Sequence, residues 1–139
     1  MVEGREGNTM STKLISIDPA GLHSSPAFTQ GMVLPAGPTL FVGGQNGTDA
    51  SGELVEGGLG PQTEQALRNV LAVLADAGSG PEHTAKMTIY LSPDVDPNAA
   101  YAAIASVWGQ HRTAVTVLAV APAREGALVE IEAIAAIPS

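Results

Sequence analysis

The stretch PQTEQALRNVLAVLADAG, residues 61–78, is the most clearly bounded element of the chain, and its reading decides the architecture. Pro61 falls in the first turn, where a missing N–H costs no helical hydrogen bond. Glu64 lies near the positive end of the helix dipole, and Gly78 stands at the C′ position, where a left-handed residue ends a helix. Leu67, Val70, Leu71 and Leu74 share one stripe, while Gln62, Glu64, Gln65, Arg68, Asn69 and Asp76 fall mostly elsewhere. The helix expected from about Pro61 to Ala77 is therefore one-sided, and that side must pack on a sheet.

The flanking segments supply the strands. From His83 to Leu91, Met87, Ile89 and Leu91 alternate with Lys86, Thr88 and Tyr90, the pattern of a strand with one buried face. A second, Ala-rich helix is expected from Pro97 to Trp108, with Tyr101, Ile104, Ala105 and Trp108 on a face that should also lie on the sheet. Thr113 to Val120 and Leu128 to Ile137 read as strands divided by a turn at Pro122 to Gly126. Upstream, a strand spans Leu14 to Ile17. Phe28 to Leu34 and Thr39 to Gly43 read as a hairpin around the Pro35 to Pro38 turn, followed by a polar loop from Thr48 to Gly60. The predicted order is β-β-β-α-β-α-β-β, an α+β arrangement with both helices on one face of one sheet. No third helix remains for the other face, so a neighbouring subunit is its natural cover. Residues 1–12 read as a flexible polar extension, with Met10 an alternative start, and residues 13–139 as a single domain.

Composition narrows the function. A formal charge of −8, with Lys and Arg scattered, repels a phosphate backbone, so nucleic acid is not an expected partner. The absence of cysteine removes disulfides, thiolate metal sites and cysteine nucleophiles. No stretch approaches the ~20 apolar residues of a membrane span, and the start lacks a signal-peptide core, so a cytoplasmic protein is expected.

Glu130 and Glu132 leave the same face of the last strand, about 6.8 Å apart along it. A solvated strand face is the ordinary account of such a pair, but Leu128 and Ile134 share that face, and a carboxylate among apolar neighbours needs a donor or cation. Arg112 precedes the strand that the 122–126 turn would lay antiparallel to the glutamates, which makes it the candidate partner, although a surface arginine has the same sequence signature. Its planar fork suits a substrate carboxylate as lysine does not. His23, His83 and His111 show no metal-ligand spacing, so no metal is expected. His111 points away from Arg112 in an extended chain. The serines lack a nucleophile elbow, and Gly43-Gly44 is no phosphate loop but suits a close backbone approach.

Six ordered segments, Phe28-Thr-Gln-Gly31, Phe41-Val-Gly-Gly-Gln45, Gln62-Thr-Glu-Gln-Ala-Leu-Arg-Asn69, Lys86-Met-Thr-Ile-Tyr90, Arg112-Thr-Ala-Val115 and Val129-Glu-Ile-Glu-Ala-Ile134, resemble the reactive intermediate deaminase (RidA/YjgF) family, also described as endoribonuclease L-PSP. The resemblance spans about Lys13 to Ile137. It implies a chorismate-mutase-like fold, a homotrimer with clefts between subunits, and hydrolysis of small enamine or imine acids such as 2-aminoacrylate to 2-oxo acids and ammonia, without a cofactor. Carried over by position, Arg112 grips the substrate carboxylate, Glu130 places the attacking water, and Phe28, Gly43 and Gly44 line the cleft. Phe28 stands where those deaminases usually have Tyr, and Gly43 where they often have Ser. The link from the second helix into Arg112 is shorter and the connection to Glu130 longer. The alternatives are a non-catalytic trimer that binds small carboxylates and, more remotely, a ribonuclease.

Overall fold

A computed structural model describes residues 13–139; the expected extension at residues 1–12 lies outside the described residues. The elements follow the predicted order: β1 (Ile15–Ile17), β2 (Gly31–Val33), β3 (Thr39–Gln45), α1 (Leu59–Asp76), β4 (Thr84–Leu91), α2 (Asn98–Trp108), β5 (Ala114–Ala119) and β6 (Val129–Ala136). The fold is α+β, with two helices on one face of a mixed four-stranded sheet ordered β3-β6-β4-β5.

Two pairings differ from the sequence reading. The expected hairpin of the second and third strands does not form: β2 pairs with β1 in a separate antiparallel ribbon, Ile17 opposite Gly31, and β3 pairs with β6. Pro35 and Pro38 remove two amide donors from the connection, and β6 offers β3 a longer ladder. Nor are the last two strands neighbours. β5 runs parallel to β4, joined to it through α2, and β6 lies on the other side of β4, antiparallel to it. A parallel pair needs a crossover of this kind, and α2 provides it.

The core forms where period-2 strands meet a period-3.6 helix. Val129, Ile131, Ala133 and Ala135 of β6, with Met87, Ile89 and Leu91 of β4, point to one side and meet Ala66, Leu67, Val70 and Leu74 of α1. The helix closes as expected on Gly78, at φ +79°, with Ser79 N–H bonded to the Leu74 carbonyl (2.8 Å) and Gly78 N–H to that of Ala75 (3.0 Å). Two polar residues of the 62–69 motif prove structural. Gln62, buried, accepts from Leu128 N–H at 2.9 Å and donates to the Gly126 carbonyl at 3.3 Å. Asn69 donates to the carbonyls of Asn46 and Thr48. Together they fasten the loop after β3 and the approach to β6 onto α1.

Gly47 lies in that loop against the backbone of Gln62, where an added Cβ would overlap backbone atoms. Because backbone on both sides must move, Gly47→Ala is expected to lower stability by about 1–3 kcal/mol, read as a lower urea midpoint at unchanged slope.

The second helix packs on α1 through buried Ala100 and Trp108. Its stripe of Tyr101, Ile104, Ala105 and Trp108 faces Met87, Ile89, Val115 and Val117 across an open, largely apolar cavity of about 780 Å³. On the sheet's other face, Phe41 is 72% exposed and Leu118 47% among the described residues.

Candidate active site

At the β5 edge the residues after the first ribbon strand form a short structure around Arg112. Thr29 N–H bonds the Thr113 carbonyl at 3.2 Å, and Thr29 pairs in parallel with Ala114, so the chain at 28–30 acts as a one-bridge extension of the sheet beyond β5. This register puts Thr29 on the face of Arg112 and Phe28 on the face of Thr113. Thr29, 2% exposed, donates its hydroxyl to Asp18 Oδ2 at 2.6 Å, and Gln30 N–H donates to Asp18 Oδ1 at 3.0 Å. Arg112 NH2 donates to the Phe28 carbonyl at 3.0 Å and to Asp18 Oδ2 at 3.3 Å. Nε and NH1 of Arg112 have no partner among the described residues. The Thr29 hydroxyl, the Gln30 amide and Arg112 together hold the Asp18 carboxyl below the ordinary aspartate value of 3.8, so it stays ionised at neutral pH.

Glu130 lies on the same face of the sheet, toward its β3 margin. Its carboxylate lies over the β3 backbone at Gly44, beside the bulge where the β3–β6 register shifts between Val42 and Gln45. A Cβ at Gly44 would fall 2.8 Å from Cδ of Glu130 and closer still to Oε2. The expected close backbone approach at Gly43-Gly44 is therefore realised at Gly44, with Glu130 as the approaching group, while Gly43 faces open space. Because the obstacle is the end of a mobile side chain, Gly44→Ala is expected to keep its melting temperature within a few degrees while pushing Glu130 from its seat, read as a changed Glu130 rotamer in a crystal structure of the variant.

Glu132 finds the donor its position demands: Tyr90 OH bonds Oε2 at 2.9 Å, and that bond, with burial and the nearby carboxylates, raises the Tyr90 hydroxyl above its ordinary value of 10.0. Lys86 donates to Thr116 on the same face.

Within one chain, Arg112 and Glu130 do not meet. Glu130 pairs with Tyr90, and Tyr90 with Leu118, six residues beyond Arg112 along β5. The separation is roughly 20 Å along the strands and about 10 Å across two strand spacings. The expected contact between Arg112 and a glutamate of a neighbouring strand is thus corrected, because β4 stands between β5 and β6. Arg112 takes Asp18 instead, and Glu130 has no hydrogen-bond partner among the described residues.

Phe28 divides its roles. Its carbonyl holds Arg112, while the residue itself lines the cavity beside α2 with its ring 6.4 Å from that of His23. His111 lines the same cavity, on the opposite side from Arg112, as strand alternation requires. Sequence reasoning misses Asp18 and Thr29. Neither belongs to a catalytic pattern, and the Asp18–Arg112 contact joins residues 94 apart. Among the described residues no cluster of His, Asp and Glu has the makings of a metal site, and no helix is long and apolar enough to cross a membrane.

A mixed α+β sheet with an anchored arginine on one outer strand and an unpaired carboxylate seated over a glycine at the other defines a small domain whose polar groups lie at two separate margins. The sequence pattern described as Endoribonuclease L-PSP matches residues 20–137, and the chain belongs to that family, the RidA/YjgF family. A RutC family protein of Pyrococcus horikoshii is 35% identical over 103 residues, 73% of this chain and 82% of its own. The human 2-iminobutanoate/2-iminopropanoate deaminase is 33% identical over 98 residues, 70% of this chain and 72% of its own. Among solved structures, a Rid family protein of unknown function from Yersinia pestis superposes with a TM-score of 0.80 at 32% identity, covering 89% of this chain and 98% of that one.

Proposed function

We propose that the protein hydrolyses small enamine or imine acids to 2-oxo acids and ammonia, at sites built between copies of the chain in a homotrimer. The observation that carries this reading is the division of the polar groups: Arg112 is held on the β5 side with donors unused, and Glu130 sits over Gly44 by β3, too far away to serve one substrate in one chain. A ring in which the β5 side of one copy meets the β3 side of the next brings them together, and it covers the exposed Phe41 and Leu118.

The chemistry asks little more. The substrate carboxylate accepts from Arg112. Glu130 takes a proton from water as its oxygen bonds to the carbon of the protonated imine, and the C=N electron pair passes to nitrogen, giving a neutral carbinolamine. Glu130 returns the proton to nitrogen, the C–N bond breaks, ammonia leaves, and the hydroxyl becomes the ketone as its proton departs. The imine carbon is already electrophilic, so orientation and proton transfer suffice. The human relative named a 2-iminobutanoate/2-iminopropanoate deaminase supports this class of reaction.

One observation favours a second reading, a trimer that binds carboxylates without turnover: Phe28 brings a carbonyl, and no hydroxyl, to the Arg112 side. The two are separated by measuring ammonia release from 2-iminobutanoate formed in situ. Acceleration over the spontaneous rate is expected. Calorimetric binding of 2-oxobutanoate with no acceleration would leave the binding reading in its place.

A further inference from the structure

We propose that Asp18 determines specificity at this site: its carboxylate, fixed beside the Arg112 guanidinium, confines the site to acids carrying one negative charge and a neutral side chain, and disfavours dianions. The inference rests on the reading of Arg112 as the carboxylate grip.

Asp18 is not a loose counter-ion drawn in by Arg112. Two donors from the 29–30 segment hold it, the Thr29 hydroxyl at 2.6 Å and the Gln30 amide at 3.0 Å, both shorter than its 3.3 Å contact with Arg112. Thr29 is buried and locked to β5 through the Thr113 carbonyl. The negative charge is therefore placed by the fold and would stand where it does without the arginine. Among the described residues only NH2 of Arg112 is committed, to Asp18 and the Phe28 carbonyl, so an incoming carboxylate meets the donors on NH1 or on Nε. It does so beside a pair whose charges sum to zero.

The consequence is electrostatic. A monoanion gains directional hydrogen bonds from the arginine and tolerates the neighbouring carboxylate. A second negative charge on the ligand meets the repulsion of Asp18 after Arg112 is already engaged by the first, while Lys86 on the same face is turned to Thr116. The chain's net charge of −8 acts in the same direction.

The test measures binding of 2-oxobutanoate, a monoanion, and 2-oxoglutarate, a dianion, by calorimetry. Asp18→Asn is expected to raise affinity for 2-oxoglutarate relative to 2-oxobutanoate by about tenfold, with the gain shrinking in high salt. Asp18→Glu, which restores the charge, is expected to keep the wild-type ratio. A merely structural Asp18 would change both affinities alike in Asp18→Asn, and an unchanged ratio overturns the proposal. Arg112→Ala separates this from failure of the underlying reading. If it binds 2-oxobutanoate as wild type does, or if wild type binds neither acid, the carboxylate grip falls and this proposal with it. If Arg112→Ala abolishes binding while Asp18→Asn leaves the ratio alone, only the role of Asp18 is lost.

Discussion

Replacing Arg112 by alanine is expected to lower kcat/KM for a small imino acid by about 100-fold, close to 3 kcal/mol, with most of the loss in KM. The magnitude follows from removing charge-assisted hydrogen bonds to a carboxylate. The loss belongs in KM because the carboxylate does not change charge during hydrolysis, so its grip favours bound substrate and transition state nearly alike. Stability should barely move, because the Arg112–Asp18 pair is partly exposed and Asp18 keeps its bonds to Thr29 and Gln30. Arg112→Lys, with the charge but without the planar donor set, should fall between the two. Steady-state ammonia release across substrate concentrations gives both parameters, and wild-type values for Arg112→Ala would remove the arginine from the reaction.

The second large effect concerns mixtures of inactive proteins. If each site takes Arg112 from one copy and Glu130 from the next around a closed ring of three, then co-expressing Arg112→Ala and Glu130→Gln chains in equal amounts rebuilds some intact sites. With random assembly, about one quarter of the sites draw both residues from unmutated positions. Activity should therefore recover to about a quarter of wild type, from parents that each retain about a hundredth. A site contained in one chain predicts no recovery, because every chain then carries a lesion. The register supports the shared site: with Glu130 level with Leu118 and Arg112 before β5 begins, no rotamer joins them in one copy.

The elements themselves were legible because each carries its own period. Leu67, Val70 and Leu74 announce the first helix, and Met87, Ile89 and Leu91 a half-buried strand, without help from distant residues. Strand partnership is a different kind of information. The short 122–126 turn invites a hairpin, yet β6 alternates cleanly and lacks proline along its length, so it can hold ladders on both edges and occupies the middle of the sheet. The candidate site inherits the same division. Arg112 and Glu130 stand out by residue type, and Gly44 by its place before a loop. Asp18 and Thr29 do not stand out, since their significance appears only when residues 29 and 114 come into register. The direction of Phe28 rests on that same bridge.

The central place of β6 also bears on how the chain acquires its shape. It is the last strand in sequence, and β3 and β4 touch β6 but not each other in the sheet. Until residues 129–136 emerge from the ribosome, β3 has no partner and β4 can recruit only β5. Sheet assembly therefore waits on β6, closing on contacts nearly a hundred residues apart such as Thr39 with Ala136, and its rate should be set by that long-range closure, not by the rapid formation of the helices.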